Sequence, residues 1–459
     1  MTERQSELQY IELYSEARQM IFDHSNEVMN ALRDQAFSDF RAQGFPSQKV
    51  ERYKYTDMQR LFAPDYGVNL SRLAIPADPY KAFSCDVPNL STSLYFMVND
   101  SFYGRGSSSQ MPVKDNLPEG LVVGSMLSHP DIVGRYYGRL ASTKDDGITA
   151  LNTMLAQDGL LVYVPRGMKV ERTIQVINML KATPQNAQRQ VPDLMVNRRV
   201  LIVLEEDAEL KLLFCDHAAD DRRFLTTQVI EANVGEKARL EMYCLEETHQ
   251  KNIRVSNVYI DQQSDSHVTH NVITLHNGTT RNRLDLMLSG DGASCECCGC
   301  VIADKQQHVD NNTLITHRAT HCTSHELYKY VLNDHATGAF AGRVLVEPGA
   351  QQTDSQMTNQ NLCASREARM FTQPMLEIYA DDVKCAHGST VGQLNDQALF
   401  YMRQRGISEK EARTLLEVAF INQVIDGIGL PPLRDRLHYL VDKRFRGELN
   451  KCEGCRLCR

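Results

Sequence analysis

What this chain lacks narrows its class before any motif is considered. No apolar run approaches the length of a membrane span. The opening stretch, MTERQSELQYIELYSEARQM, is polar and holds no apolar signal core, so a cytoplasmic location is expected. No Gly-x-x-x-x-Gly-Lys-Ser/Thr occurs, so the chain is not expected to hydrolyse ATP itself. No Gly-x-Gly-x-x-Gly follows a strand pattern, which removes the doubly wound dinucleotide fold. Positive charge is not in excess: 50 Lys and Arg against 58 Asp and Glu give a net charge of −8. Neither nucleic acid nor an anionic membrane is an expected partner. Tryptophan is absent as well, which excludes nothing.

Thiols are plentiful by contrast, with 13 cysteines in 459 residues. In a reducing compartment such a count points to metal or redox chemistry rather than a disulfide framework. The densest cluster is Cys295-Glu296-Cys297-Cys298-Gly299-Cys300. In a strand, Cys295 and Cys297 share one face while Cys298 and Cys300 share the other. Four thiols divided that way do not converge on one tetrahedral ion, whose ligands lie about 2.3 Å from the metal. Packing as compact hydrophobes is the competing role, beside a transient persulfide or cluster-handling one. In His317-x-x-x-His321-Cys322-x-x-His325 a helix would put the three histidines on one face as a zinc site, but the flanks are β-like. Cys452, Cys455 and Cys458 form a terminal Cys-x-x-Cys-x-x-Cys, with thiolate-ligand spacing but one ligand short. It can hold zinc or a labile cluster with help from elsewhere, or be an ornament. Lys384-Cys385-Ala386-His387-Gly388 places Cys385 and His387 two residues apart. On a strand both point to one face, where thiolate and imidazole can hold a soft metal or an iron–sulfur fragment. The alternative is a buried Cys beside a His that caps a turn.

The order of patterns along the chain divides it into three. Residues 1–150 are mostly helical: Leu8 to Phe45 has apolar residues at helical spacing, and Pro130 to Leu155 is read as helix. Between them, Val50-Glu51-Arg52-Tyr53-Lys54-Tyr55-Thr56-Asp57-Met58 is a segment that either packs its tyrosines on the first helix pair or has a function of its own. From residue 151 to 394 short strands recur. Many follow a polar turn with a small residue, and Ala208, Ala238, Ser266 and Ala293 lie 30, 28 and 27 positions apart. A period of roughly 30 suggests a β-solenoid; a sandwich would give similar strand lengths. Residues 395–459 form a helical domain with the Cys-rich tail. Ser408-Glu409-Lys410-Glu411 is a capping box, and Ala412, Leu415, Leu416, Ala419, Phe420 and Val424 are read as its core stripe. Such a bundle can cap the open end of a solenoid.

The stretch Pro348-Gly349-Ala350-Gln351, Thr358-Asn359-Gln360-Asn361-Leu362 and Leu376 through Gly388, with Gly342-Arg343-Val344 before it and Ala398 through Ile407 after it, resembles the SufB/SufD family of iron–sulfur cluster assembly proteins, most closely its SufD type. The Tyr53-Lys54-Tyr55-Thr56 run is similar to a signature near the start of SufD-like proteins. The resemblance implies a right-handed parallel β-helix flanked by helical domains. It implies a non-enzymatic scaffold subunit of a SufBCD-type complex, paired through its β-helix end with a SufB-like paralogue. A SufC-type ABC ATPase would dock on the C-terminal helices, in the region of Leu399, Phe400, Leu415, Leu416 and Phe420. Iron or a nascent cluster would be held transiently at the seam by His387, helped by Cys385, and none permanently by this chain alone. SufB members carry a cysteine at the position of Asn359, and Glu-His-Glu at the Cys385–Gly388 stretch. Both departures favour the SufD type and imply a ligand set shared with the partner. Whether the chain pairs with itself when alone is left open. Two other classes compete. A carbohydrate-active β-helix enzyme needs paired carboxylates, and Asp381-Asp382 is the one adjacent pair near the seam, pointing to opposite faces. A zinc-buffering protein would rest on the terminal cysteines.

Overall fold

The computed structural model describes residues 5–73, 79–82, 92–103, 117–182 and 193–448. From Leu160 onward the chain climbs through strands that alternate between two sheets. From Asp193–Leu204 to Thr353–Cys363, each solenoid strand pairs in parallel with the strand two places before it and the strand two places after it, as Ile253–Gln262 does with Arg223–Val234 and Thr279–Leu288. The connection that a parallel pair requires is in each case a strand of the opposite sheet. This alternation makes a parallel β-solenoid and removes the sandwich alternative.

The corners explain the repeat. Asp207, Lys237, Asp265, His321 and Gln352 all have positive φ, as do Gly167 and Gly292. Each sits where the first sheet hands over to the second. Their amides stack from turn to turn: the N–H of Lys237 donates to Ser264, that of Asp265 to Asp291 and that of His321 to Gln351. After the Gly167 corner, the residue that follows each of these left-handed corners is tucked inside: Ala208, Ala238, Ser266, Ala293, then Cys322 and Thr353, all essentially buried. The repeat thus runs two turns beyond Ala293. Inward residues on both sheets, such as Ile202, Leu212, Ile260, Leu286 and Val344, form one apolar column.

The helices cover the flanks. At the N-terminus the long helical pattern is broken into Gln5–Asp23, Glu27–Asn30 and Arg33–Gln43, the second capped by the Asn26 side chain. These, with helix Gly147–Leu155, bury Tyr10, Tyr14, Phe40 and Leu151 against Leu225, Ile253 and Val255 of the first sheet. At the C-terminus, helices Glu409–Asp426 and Pro431–Arg446 bury Ile421, Val424, Leu437 and Val441 against Leu213, Leu245, Ile273, Ile302 and Val331 of the second sheet. The C-terminal bundle therefore lies along the flank and does not cap the open end. Its stripe also differs from the expected one. The buried face of Glu409–Asp426 carries Ala412, Thr414, Glu417, Ile421, Val424 and Ile425, which leaves Leu415 exposed. No described helix is long and apolar enough to cross a membrane.

The two ends of the solenoid are unlike. At the beginning, short antiparallel strands close the sheets: Ser101–Tyr103 on Thr92–Val98, and Val122–Ser125 on Leu160–Val164. At the other end, Arg369–Ile378 and Val383–Gly392 are the last strands of the two sheets. Nearly all their residues are exposed or half-buried.

Candidate functional site

The candidate site is the mouth formed by this last rung. Val383–Gly392 pairs with Thr353–Cys363 in a register that sets Cys385 over Ser355, His387 over Met357 and Ser389 over Asn359. Ser355, Met357 and Asn359 are buried and point inward. Side chains of paired positions share a face, so Cys385, His387 and Ser389 point to the inner side of the solenoid. The two-residue spacing therefore puts Cys385 and His387 on one face, as expected. Cys385 is half-buried and touches the interior column, whereas His387 is exposed above it. Burial, with the Asp354 carboxylate next, raises the Cys385 thiol above its ordinary range. It is thus a thiol at neutral pH unless a metal or cation draws off the proton.

A polar knot closes the mouth beside them. The Thr372 and Ser389 hydroxyls lie 2.6 Å apart and join the last strands of the two sheets. The Asn359 carbonyl oxygen accepts from Asn361 at 2.6 Å, from Thr372 at 2.8 Å and from Ser389 at 3.3 Å. Asn359 is fully buried and fully engaged, so it holds the rung rather than offering a ligand. Thr372 and Ser389 were not singled out from sequence. Ser389 continues the two-residue spacing of Cys385 and His387, which is the signal that could have found it.

The other thiol and imidazole motifs are dispersed by the fold. Cys295 and Cys297 face the interior column, while Cys298 and Cys300 face the C-terminal helices. Burial raises the Cys298 and Cys300 thiols to about 12, and a hydrogen bond to Cys295 with burial holds Cys297 well above its ordinary range. Gly299 is required between them, since a Cβ there would lie 2.1 Å from the Tyr328 ring. His317 is buried with Nε2 2.9 Å from the Ser324 hydroxyl, and burial lowers its pKa to about 4. His321 is a left-handed corner and His325 an exposed outward residue. The strands thus scatter the set that a helix would have aligned. Among the described residues no three His, Cys, Asp or Glu side chains are grouped to hold a metal. Cys452, Cys455 and Cys458 lie outside the described residues. Of the apolar residues read for partner docking, Phe400 and Leu415 are exposed, Leu416 and Phe420 are half-buried and Leu399 is buried.

Comparison with known proteins agrees with this architecture. Residues 185–420 match the family described as SUF system FeS cluster assembly, SufBD core domain, and residues 4–176 match the SufBD protein N-terminal region. An iron-sulfur cluster assembly SufBD family protein of Synechocystis is 26% identical over 414 residues, covering 87% of each chain. The iron-sulfur cluster assembly protein SufD of Escherichia coli is 25% identical, covering 88% of this chain and 90% of its own. SufD of Bacillus subtilis is 23% identical, covering 95% and 98%. With a β-solenoid between two helical flanks and a family match over more than half its length, the chain belongs to the SufBD family of iron–sulfur cluster assembly proteins.

Proposed function

We propose that this chain is a SufD-type scaffold subunit, without enzymatic activity of its own, that pairs through its last rung with a SufB-type partner. The observation that carries the reading is the asymmetry of the solenoid: one end is closed by antiparallel strands, while the other leaves two ten-residue strands uncovered. Unpaired parallel edges of that length are templates for strand addition. At this edge His387 offers a solvent-facing imidazole, and Cys385 a thiol one pleat away. An imidazole is a competent iron ligand. With Asn359 committed to the knot, the remaining donors of a shared site come from the partner. The cargo is iron or a nascent cluster, held transiently. A SufC-type ATPase docks on the C-terminal helices, where Phe400 and Leu415 are unburied apolar contacts. Anaerobic reconstitution with iron and sulfide, followed by absorbance spectra and metal analysis, tests the reading. Stable cluster should form only when this chain and a SufB-type partner are present together. Full cluster on this chain alone, or on the partner alone at the same yield, would refute it.

A further inference from the structure

The segment Glu51–Thr56 does something its sequence did not reveal. It does not merely pack on the first helix pair; it runs across the outer face of the first sheet towards the mouth. Arg52 pairs with Asp285 and donates to Asn312 at 2.9 Å, while its carbonyl accepts from Arg281. Tyr53 is buried, bonded to Asp146 and covered by the Arg281 guanidinium, 3.9 Å from its ring centre. The Thr56 hydroxyl lies 2.9 Å from His308 and donates to Asp310 at 2.6 Å. These contacts anchor the segment on strands Thr279–Leu288 and His308–His317. Tyr55 and Glu51 then reach past Thr337–Val346, whose outward residues there are the small Ala339 and Ala341, and seize the last strand. The Tyr55 ring stacks on Phe371 with centres 5.0 Å apart and planes at 18°. Its hydroxyl donates to Gln373 at 3.1 Å, and the Gln373 amide donates to Glu51 at 2.9 Å.

That last strand needs such support. Arg369–Ile378 has a ladder partner on one side only, and no residue of it is fully buried. Pro374 removes one of its N–H groups whichever way it faces. We infer that Glu51–Thr56 is a strap that holds the exposed strand Arg369–Ile378 in the geometry its partner reads, with Tyr55 as the positioning residue. The partner's identity rests on the proposed function; the hold on the strand does not.

Hydrogen exchange on the full chain, with a binding measurement to the SufB-type partner, tests both parts. Tyr55→Ala should speed exchange of the 369–378 amides about tenfold and leave those of Thr353–Cys363 unchanged. It should weaken partner binding by a similar factor. Tyr55→Phe keeps the stacked ring and loses only the bond to Gln373, so it should restore most of both. Phe371→Ala removes the stack from the other side without touching the N-terminal domain, and should loosen the same amides. Unchanged exchange at 369–378 in both alanine variants would overturn the strap. Loosened exchange with wild-type affinity would overturn its role in docking. If the wild-type chain fails to bind the partner at all, the proposed function fails, while the exchange data still decide the strap.

Discussion

His387 lies directly over Met357, one strand nearer the open end of the solenoid. The methionine is fully buried in the interior column and the histidine is exposed. One step of the ladder, about 4.8 Å, separates the packed core from a side chain available to a metal. Substitutions on the last rung should therefore cost the fold little, because none of its residues is fully buried.

Gly299 tests the interior packing. A Cβ at this position would sit 2.1 Å from the Tyr328 ring, which itself packs against Phe340 with ring centres 4.8 Å apart and planes tilted by 35°. Gly299→Ala should destabilise the fold by about 1–3 kcal/mol through overpacking. A denaturant melt compared with a Cys298→Ala control checks this; equal midpoints for Gly299→Ala and wild type would contradict it.

Glu326 should make stability depend on pH. It is buried on the inward face, where the Thr313 hydroxyl only partly offsets the loss of solvent. Burial raises its pKa from 4.5 to about 7. Between those two values the unfolded chain releases a proton that the folded chain keeps. Stability therefore falls as pH rises through this window and stays lower above it, by on the order of 3 kcal/mol. Glu326→Gln removes the penalty. Its melting midpoint should exceed that of the wild type by several degrees at pH 8 and match it near pH 4.5; the opposite order would refute the sign.

Partner docking on the C-terminal helices is best tested at points rather than by truncation. Removing everything after Gly392 would bare Leu213, Leu245, Ile273, Ile302 and Val331, which the helices now bury. Phe400 is 63% exposed and Leu415 38%. Replacing both with Ser should leave the melt unchanged and weaken binding of a SufC-type ATPase tenfold or more. Retained affinity in a pull-down titration would move the docking surface elsewhere.

The sequence made some of this legible and hid the rest for physical reasons. Period two placed Cys385 and His387 on one face, because strand geometry alone decides that. The solenoid could not be separated from a sandwich by strand length, since the difference lies in which strands pair. Its repeat faded after Ala293 because the tucked residue becomes Cys322 and then Thr353, and because the left-handed corners are Asp, Lys, His and Gln as well as Gly. The stripe of Glu409–Asp426 was misplaced because Thr414 and Glu417, both polar, lie on its buried side. Tyr55 and Gln373 are 318 residues apart, and no local pattern announces such a contact.

The most direct test of the account is His387→Ala. The side chain is exposed, so its loss should change stability by no more than about 0.5 kcal/mol. We expect the variant to melt with the wild type and to co-purify with its SufB-type and ATPase partners. It should nonetheless fail to form cluster on anaerobic reconstitution and fail to complement a strain lacking the chain, with Cys385→Ala milder on both counts. Full complementation with normal cluster absorbance would show His387 to be no ligand, and a failure traced to unfolding or to loss of the partners would contradict the account equally.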